Sequence, residues 1–254
     1  GLPYANCAVN GFQPDDIYDT TAPTTACSVT GDGQTFDCAA GPFYFKTPAI
    51  VTLAPIDSVG VLQTLCSVNG ADCGGLTFTT PATPGTYSVT FQSRDYSGNL
   101  EALRSLVVTI DTTAPVVSGF SFPGATVEGQ WVSAPSVTGT INVNEPVTVV
   151  CGDSLNGTQV DGLSIIVSGD GSHVLSCTVT DQAGNTIEAG TTVNLDTAAP
   201  TVTAPTAGLV TEATGVGTIV DYGVSAADAL SGYTVSCTPP SGSSFGVGDT
   251  LVTC

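Results

Sequence analysis

Apolar and polar residues alternate with a period of two along much of this chain. The segments "SLVVTI" at 105–110 and "TTVNL" at 191–195 are examples, and such alternation is typical of a strand with one buried face. No stretch keeps the spacing of an amphipathic helix over several turns. The nearest one, "NLEALRSL", runs directly into the strand pattern "VVTI". We therefore predict a nearly all-β fold.

A pentapeptide, D-T-[TA]-A-P, occurs three times and begins at Asp19, Asp111 and Asp196. The spacings between these positions are 92 and 85 residues, which is the size of a small β-sandwich. Pro115 and Pro200 fix the backbone and lack an N–H donor, so the alternating strands before them must end there. We predict short, stiff joints between sandwiches. The predicted ranges are an N-terminal strand segment at 1–18 and units at 19–110, 111–195 and 196–254.

A matching hairpin precedes the second and the third joint, and its turn has the form D-x-x-G-N. Asp bonds to nearby backbone amides, while Gly and Asn tolerate positive φ, so this string suits a tight turn. The turn residues are Asp95, Gly98 and Asn99 in one hairpin and Asp181, Gly184 and Asn185 in the other.

These strings resemble the tandem immunoglobulin-like repeats of bacterial and archaeal surface proteins, which share "D-x-A-G-N … V-x-[IV]-D-T-T-A-P". The segment that begins "GPFYFKTPAIVTLAPIDSVG" resembles the front of the same repeats. The end of the chain, "VSCTPPSGSSFGVGDTLVTC", is similar to the core of the hyalin repeat (HYR) module. The resemblance implies an all-β fold of three tandem immunoglobulin-like β-sandwiches in an extracellular setting. It implies no particular activity, because such domains have many roles.

The last unit is expected to be incomplete. Hyalin-like modules continue after "VTC" with a further hairpin and strand, so residues 196–254 should expose a sheet edge. Residues 1–18 stand in the position of a closing strand. Two explanations remain open: the chain is an excerpt of a longer repeat protein, or residues 1–18 of one subunit complete the last sandwich of the next in a head-to-tail fibre. In the fibre, Cys7 would lie near Cys237 and Cys254 of a neighbour.

The charge balance restricts the partners. The formal net charge is −19, and the only Lys and Arg residues are Lys46, Arg94 and Arg104. An anionic surface repels nucleic acid and anionic lipid, so both are poor partners. Because there is almost no Lys to pair with, most Asp and Glu side chains must face water or a metal ion.

The nine cysteines indicate disulfides rather than a zinc site, since the chain has one histidine and no zinc-ligand pattern. Local spacing favours four pairs: Cys27 with Cys38, Cys66 with Cys73, Cys151 with Cys177, and Cys237 with Cys254. Cys7 is left over. Disulfides imply an oxidising, extracytoplasmic compartment. No run of 18 apolar residues occurs, so no transmembrane helix is predicted. The absence of a leader indicates cleavage or a larger parent chain.

Calcium is the expected cofactor, because the resemblance implies joints that bind calcium and stiffen an array. Calcium takes six to eight oxygen ligands, which joint and turn residues could supply. The alternative is purely structural: Asp caps its turn and Asn bonds its own backbone. The candidates are Asp19, Asp111 and Asp196 in the joints and Asp95, Asn99, Asp181 and Asn185 in the turns.

No catalytic constellation is evident, so we do not expect an enzyme. His173 lacks a partner motif and is interpreted as an edge residue at a strand start. Trp131 is interpreted as filling a sandwich edge or core rather than as a sugar platform. Asn156, in "NGT", matches the N-glycosylation pattern on a predicted loop.

The sequence thus predicts a secreted or cell-surface structural protein, a subunit or segment of a filament, surface layer or stalk. Its expected partners are copies of itself, with possible glycans and no membrane insertion. The main alternative is an adhesive or carbohydrate-binding array, and a third is a spacer from a secreted enzyme.

Overall fold

The computed structural model describes residues 19–124, 130–205 and 208–254. The fold is all-β, as predicted, and the only helical element among the described residues is a short 3₁₀ turn at Cys38–Ala40. We call 19–110, 111–195 and 196–254 the first, second and third repeats. Every sheet of the described residues draws its strands from a single repeat. The predicted N-terminal strand segment, 1–18, and Cys7 lie outside the described residues.

The first repeat is a sandwich of a four-stranded and a five-stranded sheet, ordered β2-β1-β4-β7 and β3-β9-β8-β5-β6. Its strands are β1 (Thr24–Gly31), β2 (Gln34–Asp37), β3 (Phe43–Phe45), β4 (Ile50–Ile56), β5 (Val61–Val68), β6 (Ala71–Asp72), β7 (Thr77–Thr79), β8 (Gly85–Asp95) and β9 (Arg104–Ile110). The two sheets share one apolar core, to which β9 contributes Leu106, Val108 and Ile110. The apolar residues of the alternating sequence pattern thus form the buried face of this strand.

The second repeat has two four-stranded sheets, ordered β10-β12-β15-β14 and β11-β17-β16-β13. Its strands are β10 (Val117–Ser121), β11 (Trp131–Val132), β12 (Ser136–Val143), β13 (Val147–Asp153), β14 (Thr158–Asp161), β15 (Ser164–Ser168), β16 (Gly171–Asp181) and β17 (Thr186–Leu195). Val193 and Leu195 of β17 are buried. Trp131 is half-buried on β11, the edge strand that runs parallel to β17, in agreement with its predicted place.

The described residues of the third repeat form two two-stranded sheets, β18-β20 and β19-β21. Its strands are β18 (Thr201–Thr203), β19 (Thr218–Val220), β20 (Ser225–Ala227) and β21 (Ser243–Phe245). Among its described residues, Ala226 is the only buried apolar one, while Val210 is 93% exposed and Leu251 is 86% exposed. Each large apolar side chain left in water forgoes about 1.5–3 kcal/mol of burial energy. These residues therefore do not close a core by themselves.

Four disulfides join the cysteine pairs that local spacing favours. They are Cys27–Cys38, Cys66–Cys73, Cys151–Cys177 and Cys237–Cys254, with Cα–Cα distances of 5.4, 5.7, 4.0 and 4.0 Å. Each lies within one repeat. Such cross-links are typical of proteins from oxidising compartments. In the described ranges, no helix has the length and apolar character needed to span a bilayer.

The described residues form two compact units. The first contains 19–116 together with two short segments of the second repeat, 145–148 and 180–187. The second contains 117–144, 149–179 and 188–254. The compact units therefore cut across the sequence repeats, and the D-x-x-G-N turn of the second repeat belongs to the first unit.

Candidate metal centre

Each joint begins with an aspartate that caps its own turn. Oδ1 of Asp19 accepts the N–H of Thr21 at 2.9 Å, and Oδ1 of Asp111 accepts the N–H of Thr113 at 3.0 Å. Asp196 accepts the N–H of Ala198 at 2.9 Å. Side chains of this kind that bond two residues ahead stabilise tight turns. The first part of the pentapeptide is thus explained by local hydrogen bonding.

The D-x-x-G-N turns are built in the same way in both repeats. Asp95 accepts the N–H of Asn99 through Oδ1 at 2.8 Å, and Asp181 accepts the N–H of Asn185 at 2.8 Å. The glycines at the fourth position have φ values of 98° and 88°, which favour glycine because it has no Cβ. This geometry places both aspartates at the end of the long strands β8 and β16.

The turn asparagines connect the turns to the joints. Nδ2 of Asn99 donates to the main-chain oxygen of Asp19 at 2.8 Å, and Nδ2 of Asn185 donates to that of Asp111 at 3.0 Å. The same nitrogens donate to the carboxylates of the turn aspartates at 2.7 and 2.8 Å. Both asparagines were predicted as calcium ligands. In the structure their amide nitrogens hold the joint beside the turn.

A third carboxylate, which sequence reasoning missed, joins each pair. Asp57 meets Asp19 and Asp95, and Glu145 meets Asp111 and Asp181. In each group the three carboxylates offer oxygens that lie within 4.8 Å of one another. Asp57 follows the end of β4 and Glu145 follows the end of β12 by two residues. Strand pairing therefore brings acids from three distant segments to one point.

The two groups consist of anions without a paired cation. Within the described ranges, the only ion pair joins His173 to Asp153. Burial raises the pKa of Asp95, but hydrogen bonds from Asn99 and Gly98 outweigh it and leave the pKa below its usual value. The hydroxyl and N–H of Thr113 lower the pKa of Asp111. A lowered pKa favours the charged form of Asp95 and of Asp111, and like charges a few ångströms apart repel one another.

A hard divalent cation fits this donor set. Oδ2 of Asp19 is buried and accepts no hydrogen bond among the described residues, an arrangement that costs free energy unless a partner is supplied. All side-chain donors in both groups are carboxylate oxygens, which Ca²⁺ prefers, whereas zinc sites usually contain Cys or His.

The other predicted residues have structural surroundings of their own. Asn156 is exposed at a turn with φ of 58°, and its glycosylation stays a prediction. In the same triplet, a Cβ on Gly157 would lie 2.1 Å from the carbonyl oxygen of Ser168. Thr158 donates its hydroxyl to Asp153 at 3.0 Å. Packing and hydrogen bonding therefore account for the last two residues of "NGT" without a glycan.

The interpretation of His173 as an edge residue is wrong. The residue is 1% exposed. Its Nδ1 lies 2.8 Å from a carboxylate oxygen of Asp153, and its Nε2 lies 2.8 Å from the carbonyl oxygen of Gly169. Both ring nitrogens thus have an oxygen partner, and the ring forms a buried pair with Asp153. Asp153 lies 20 residues from His173 in the sequence, so no local sequence motif predicts the pair.

Comparisons with known proteins give fold-level similarities only. No family model matches the chain, and no curated protein matches it. Among solved structures, the chain is similar to the fibronectin(III)-like modules of Clostridium thermocellum CbhA. The sequence identity is 12% and the TM-score is 0.36, and the alignment covers 66% of this chain and 93% of that chain. The D00-D0 domain of intimin shares 12% identity over 66% of this chain and 98% of its own, with a TM-score of 0.28. The chain is also similar to the Bacteroides ovatus protein SGBP-B in complex with a mixed-linkage heptasaccharide, with 14% identity and a TM-score of 0.25. That alignment covers 61% of this chain and 43% of SGBP-B. No function is carried over from them.

Proposed function

We propose that this chain is a non-catalytic structural segment of an extracellular filament, surface layer or stalk, in which calcium stiffens the joints. The observation that carries the proposal is the repeated joint. In two successive repeats, an asparagine amide ties the turn to the joint, and three carboxylates converge beside it. A protein that only needed stable sandwiches would gain nothing from gathering three carboxylates at each of two successive joints.

The mechanism follows from charge. Asp19, Asp57 and Asp95 would hold one ion, and Asp111, Glu145 and Asp181 would hold a second. The ion would supply positive charge that replaces repulsion between the carboxylates with attraction to a common centre. Because the three ligands in a group come from a joint, a loop and a turn, binding would restrict the joint relative to both other segments.

Limited proteolysis and melting with and without calcium test this proposal. We expect 1 mM calcium to raise the melting temperature and to slow cleavage near residues 19–23 and 111–115, whereas magnesium should do so less. The variant Asp57→Asn should lose the effect at the first joint and keep it at the second. Equal melting and cleavage with calcium and with chelator would contradict the calcium function.

Assembly by strand complementation is the second part of the proposal. The third repeat contains an open cavity of about 530 Å³, whose lining includes the apolar side chains of Leu209, Val220, Val224, Phe245 and Val252. In the other repeats, the closing strands β9 and β17 bring buried apolar side chains into the core. We propose that residues 1–18 of another copy add a strand here, giving a head-to-tail polymer.

Deletion of residues 1–18 tests the assembly. The full chain should form concentration-dependent polymers in light scattering and electron micrographs, and the deleted chain should stay monomeric. Cys7→Ser should leave these polymers intact, because the proposed contact is non-covalent and Cys237 and Cys254 are already bonded to each other. Identical monomeric behaviour of both chains would count against complementation and leave the calcium joints unaffected.

Carbohydrate binding is a second candidate function, favoured by one cavity. A cleft of about 320 Å³ in the first unit is lined by Phe36, Tyr44, Asp32, Gln34, Asp181 and Gln182. Aromatic rings with carboxylate and amide groups suit a sugar, and the volume falls in the range of small-molecule sites. Calorimetry with soluble glycans would detect binding, and Tyr44→Ala should abolish it. No heat with any glycan would remove this candidate.

A further inference from the structure

Residues of two sequence repeats line the cleft of about 320 Å³. The β1–β2 turn and strand β3 come from the first repeat, and the D-x-x-G-N turn at 181–184 comes from the second. All of these segments belong to the first compact unit. The side chain of Lys46 packs on the turn, since a Cβ at Gly184 would lie 3.3 Å from Cε of Lys46. The second repeat therefore supplies one wall of a cleft whose other walls belong to the first.

The two middle positions of the D-x-x-G-N turn have different surroundings in the two repeats. In the first repeat they are Tyr96, which is 68% exposed, and Ser97, which is also exposed. In the second repeat they are Gln182 and Ala183, which are half-buried and line the cleft. The turn itself uses its aspartate, glycine and asparagine. Gln182 is therefore placed in the cleft by a position whose side chain the turn does not require.

The aromatic wall of the cleft is held in place by the core of the first repeat. The ring centre of Phe36 lies 5.9 Å from that of Phe43 and 6.1 Å from that of Phe45, and both of those residues are buried. Gly31 permits this packing, because a Cβ there would lie 2.5 Å from the ring of Phe45. Tyr44, between the two buried phenylalanines in β3, is half-buried and lines the cleft. Aromatic surfaces of this kind are typical of small-molecule sites.

Three neutral polar groups of the cleft are available to a ligand. In the described part of the chain, the side-chain amides of Gln34 and Gln182 and the hydroxyl of Tyr44 make no hydrogen bond to other protein atoms. An amide offers both donors and an acceptor, and a phenol hydroxyl can donate and accept. The hydroxyl groups of a sugar also donate and accept. These neutral groups therefore match a sugar without requiring a charge on it.

The charges around the cleft are mainly negative. Asp32 and Asp181 line it, and Asp181 belongs to the second group of three carboxylates. Desolvation raises the pKa of Asp32, but hydrogen bonds from Thr47 and Lys46 outweigh it and leave the pKa lowered, which favours the charged form. The single ammonium of Lys46 does not balance these carboxylates. An acidic ligand would therefore meet like charges in the cleft.

We infer that the cleft binds an uncharged hexose and rejects the corresponding uronic acid, and that Gln182 of the second repeat contacts the sugar. This inference rests on the proposed carbohydrate binding of the same cleft and names its ligand class. A hexose and its uronic acid differ only at C6, which carries an alcohol in the first and a carboxylate in the second. Because that carboxylate brings a like charge towards Asp32 and Asp181, the uronic acid should bind at least about tenfold more weakly.

Saturation-transfer NMR and calorimetry on the full chain test the inference, in chelator so that no cation bridges a uronate to the carboxylates. The probes are the methyl glycosides of glucose, galactose and mannose and those of their uronic acids. At least one hexose should bind, and its uronic acid should bind at least about tenfold more weakly in low salt but with a smaller difference in high salt. Gln182→Ala should weaken hexose binding about three- to tenfold, as expected for one lost hydrogen bond. Tyr96→Ala, at the same position of the exposed turn, is the matched control and should leave binding unchanged.

The outcomes separate this inference from the proposed carbohydrate function. A uronic acid that binds as tightly as its hexose would overturn the ligand class, and unaltered hexose binding by Gln182→Ala would overturn the contribution of the second repeat. In both cases the cleft would remain a carbohydrate site. No binding of any probe would remove the carbohydrate candidate together with this inference. The comparison of hexose with uronic acid uses the unaltered chain, so it decides the ligand class even where a variant folds poorly.

Discussion

Neutralising Glu145 should have opposite effects on stability and on calcium response. The carboxylates of Asp111, Glu145 and Asp181 offer oxygens within 4.8 Å of one another. Two unit charges at that distance repel by about 3.5 kcal/mol at an effective dielectric constant of about 20, and by about 0.9 kcal/mol in bulk water. Glu145→Gln removes two of the three repulsive pairs. Even at the bulk-water limit, the relief is about 2 kcal/mol.

The expected result in chelator is therefore a more stable protein. For a domain of this size, about 2 kcal/mol corresponds to a rise in melting temperature of about 8 °C or more. The rise should shrink at high ionic strength, since about 1 M salt reduces the Debye length to about 3 Å. Calcium should stabilise the variant less than it stabilises the unaltered chain. A tenfold loss of affinity reduces the stabilisation by calcium by about 1.4 kcal/mol, so the calcium-induced rise should be smaller in the variant.

Scanning calorimetry in low salt, with chelator and with 5 mM calcium, measures both effects. Glu212→Gln removes the same charge from an exposed position and should shift stability by less than about 0.5 kcal/mol in both buffers. Glu145→Gln that is destabilised in chelator, or that gains as much from calcium as the unaltered chain, would refute the reasoning. The first result would mean that Glu145 is a structural acid, and the second that it is no ligand.

Three further predictions concern single contacts. Asn185→Ala removes the amide that holds the second joint and should cost about 1 kcal/mol, seen in urea unfolding together with faster amide exchange at 112–114. Burial raises the pKa of Asp153, but the hydrogen bonds that its carboxylate accepts, first that of His173, together outweigh burial and leave the pKa lowered. Its contribution to stability is therefore present above about pH 4, the ordinary carboxyl value, and is lost as pH falls through the lowered pKa. Asp153→Asn should flatten the dependence of unfolding free energy on pH in that acidic range. Gly157→Ala places a Cβ 2.1 Å from a backbone oxygen and should cost about 1–3 kcal/mol, whereas Gly208→Ala, with open space around it, should cost little; equal unfolding midpoints for the two would contradict the packing argument.

The sequence predicts those parts of the site that local hydrogen bonds determine. A joint aspartate bonds two residues ahead, and a turn aspartate bonds four residues ahead. Such contacts leave contiguous strings that repeat along the chain, so both elements could be read directly. The strands are readable for the same reason, since the alternating residues of β9 and β17 are the ones that face a core.

The sequence does not predict the hydrogen-bond partners of the turn asparagines and of His173, because those partners are distant in the sequence. Asn185 donates to a main-chain oxygen 74 residues away, and a main-chain acceptor leaves no mark in the sequence. Counting potential oxygen ligands near a joint makes Asn a calcium ligand, and that assignment stays a prediction; what the sequence does not show is that the amide nitrogen holds the joint. His173 likewise meets an acid from another strand, and only the pairing of the strands brings the two together.

The third acid of each group bears on the two explanations that the sequence leaves open, turn capping and calcium binding. Asp57 caps a turn, so turn geometry alone could account for it. Glu145 stands at the same place in the second repeat, and in the described part of the chain its side chain makes no such bond. Its longer side chain does not form the turn that Asp forms. The loops of Asp57 and Glu145 thus share no common turn, but each places a carboxylate beside the joint aspartate and the turn aspartate. Turn capping accounts for Asp57 and does not account for Glu145, so Glu145→Gln is the variant that distinguishes the two explanations.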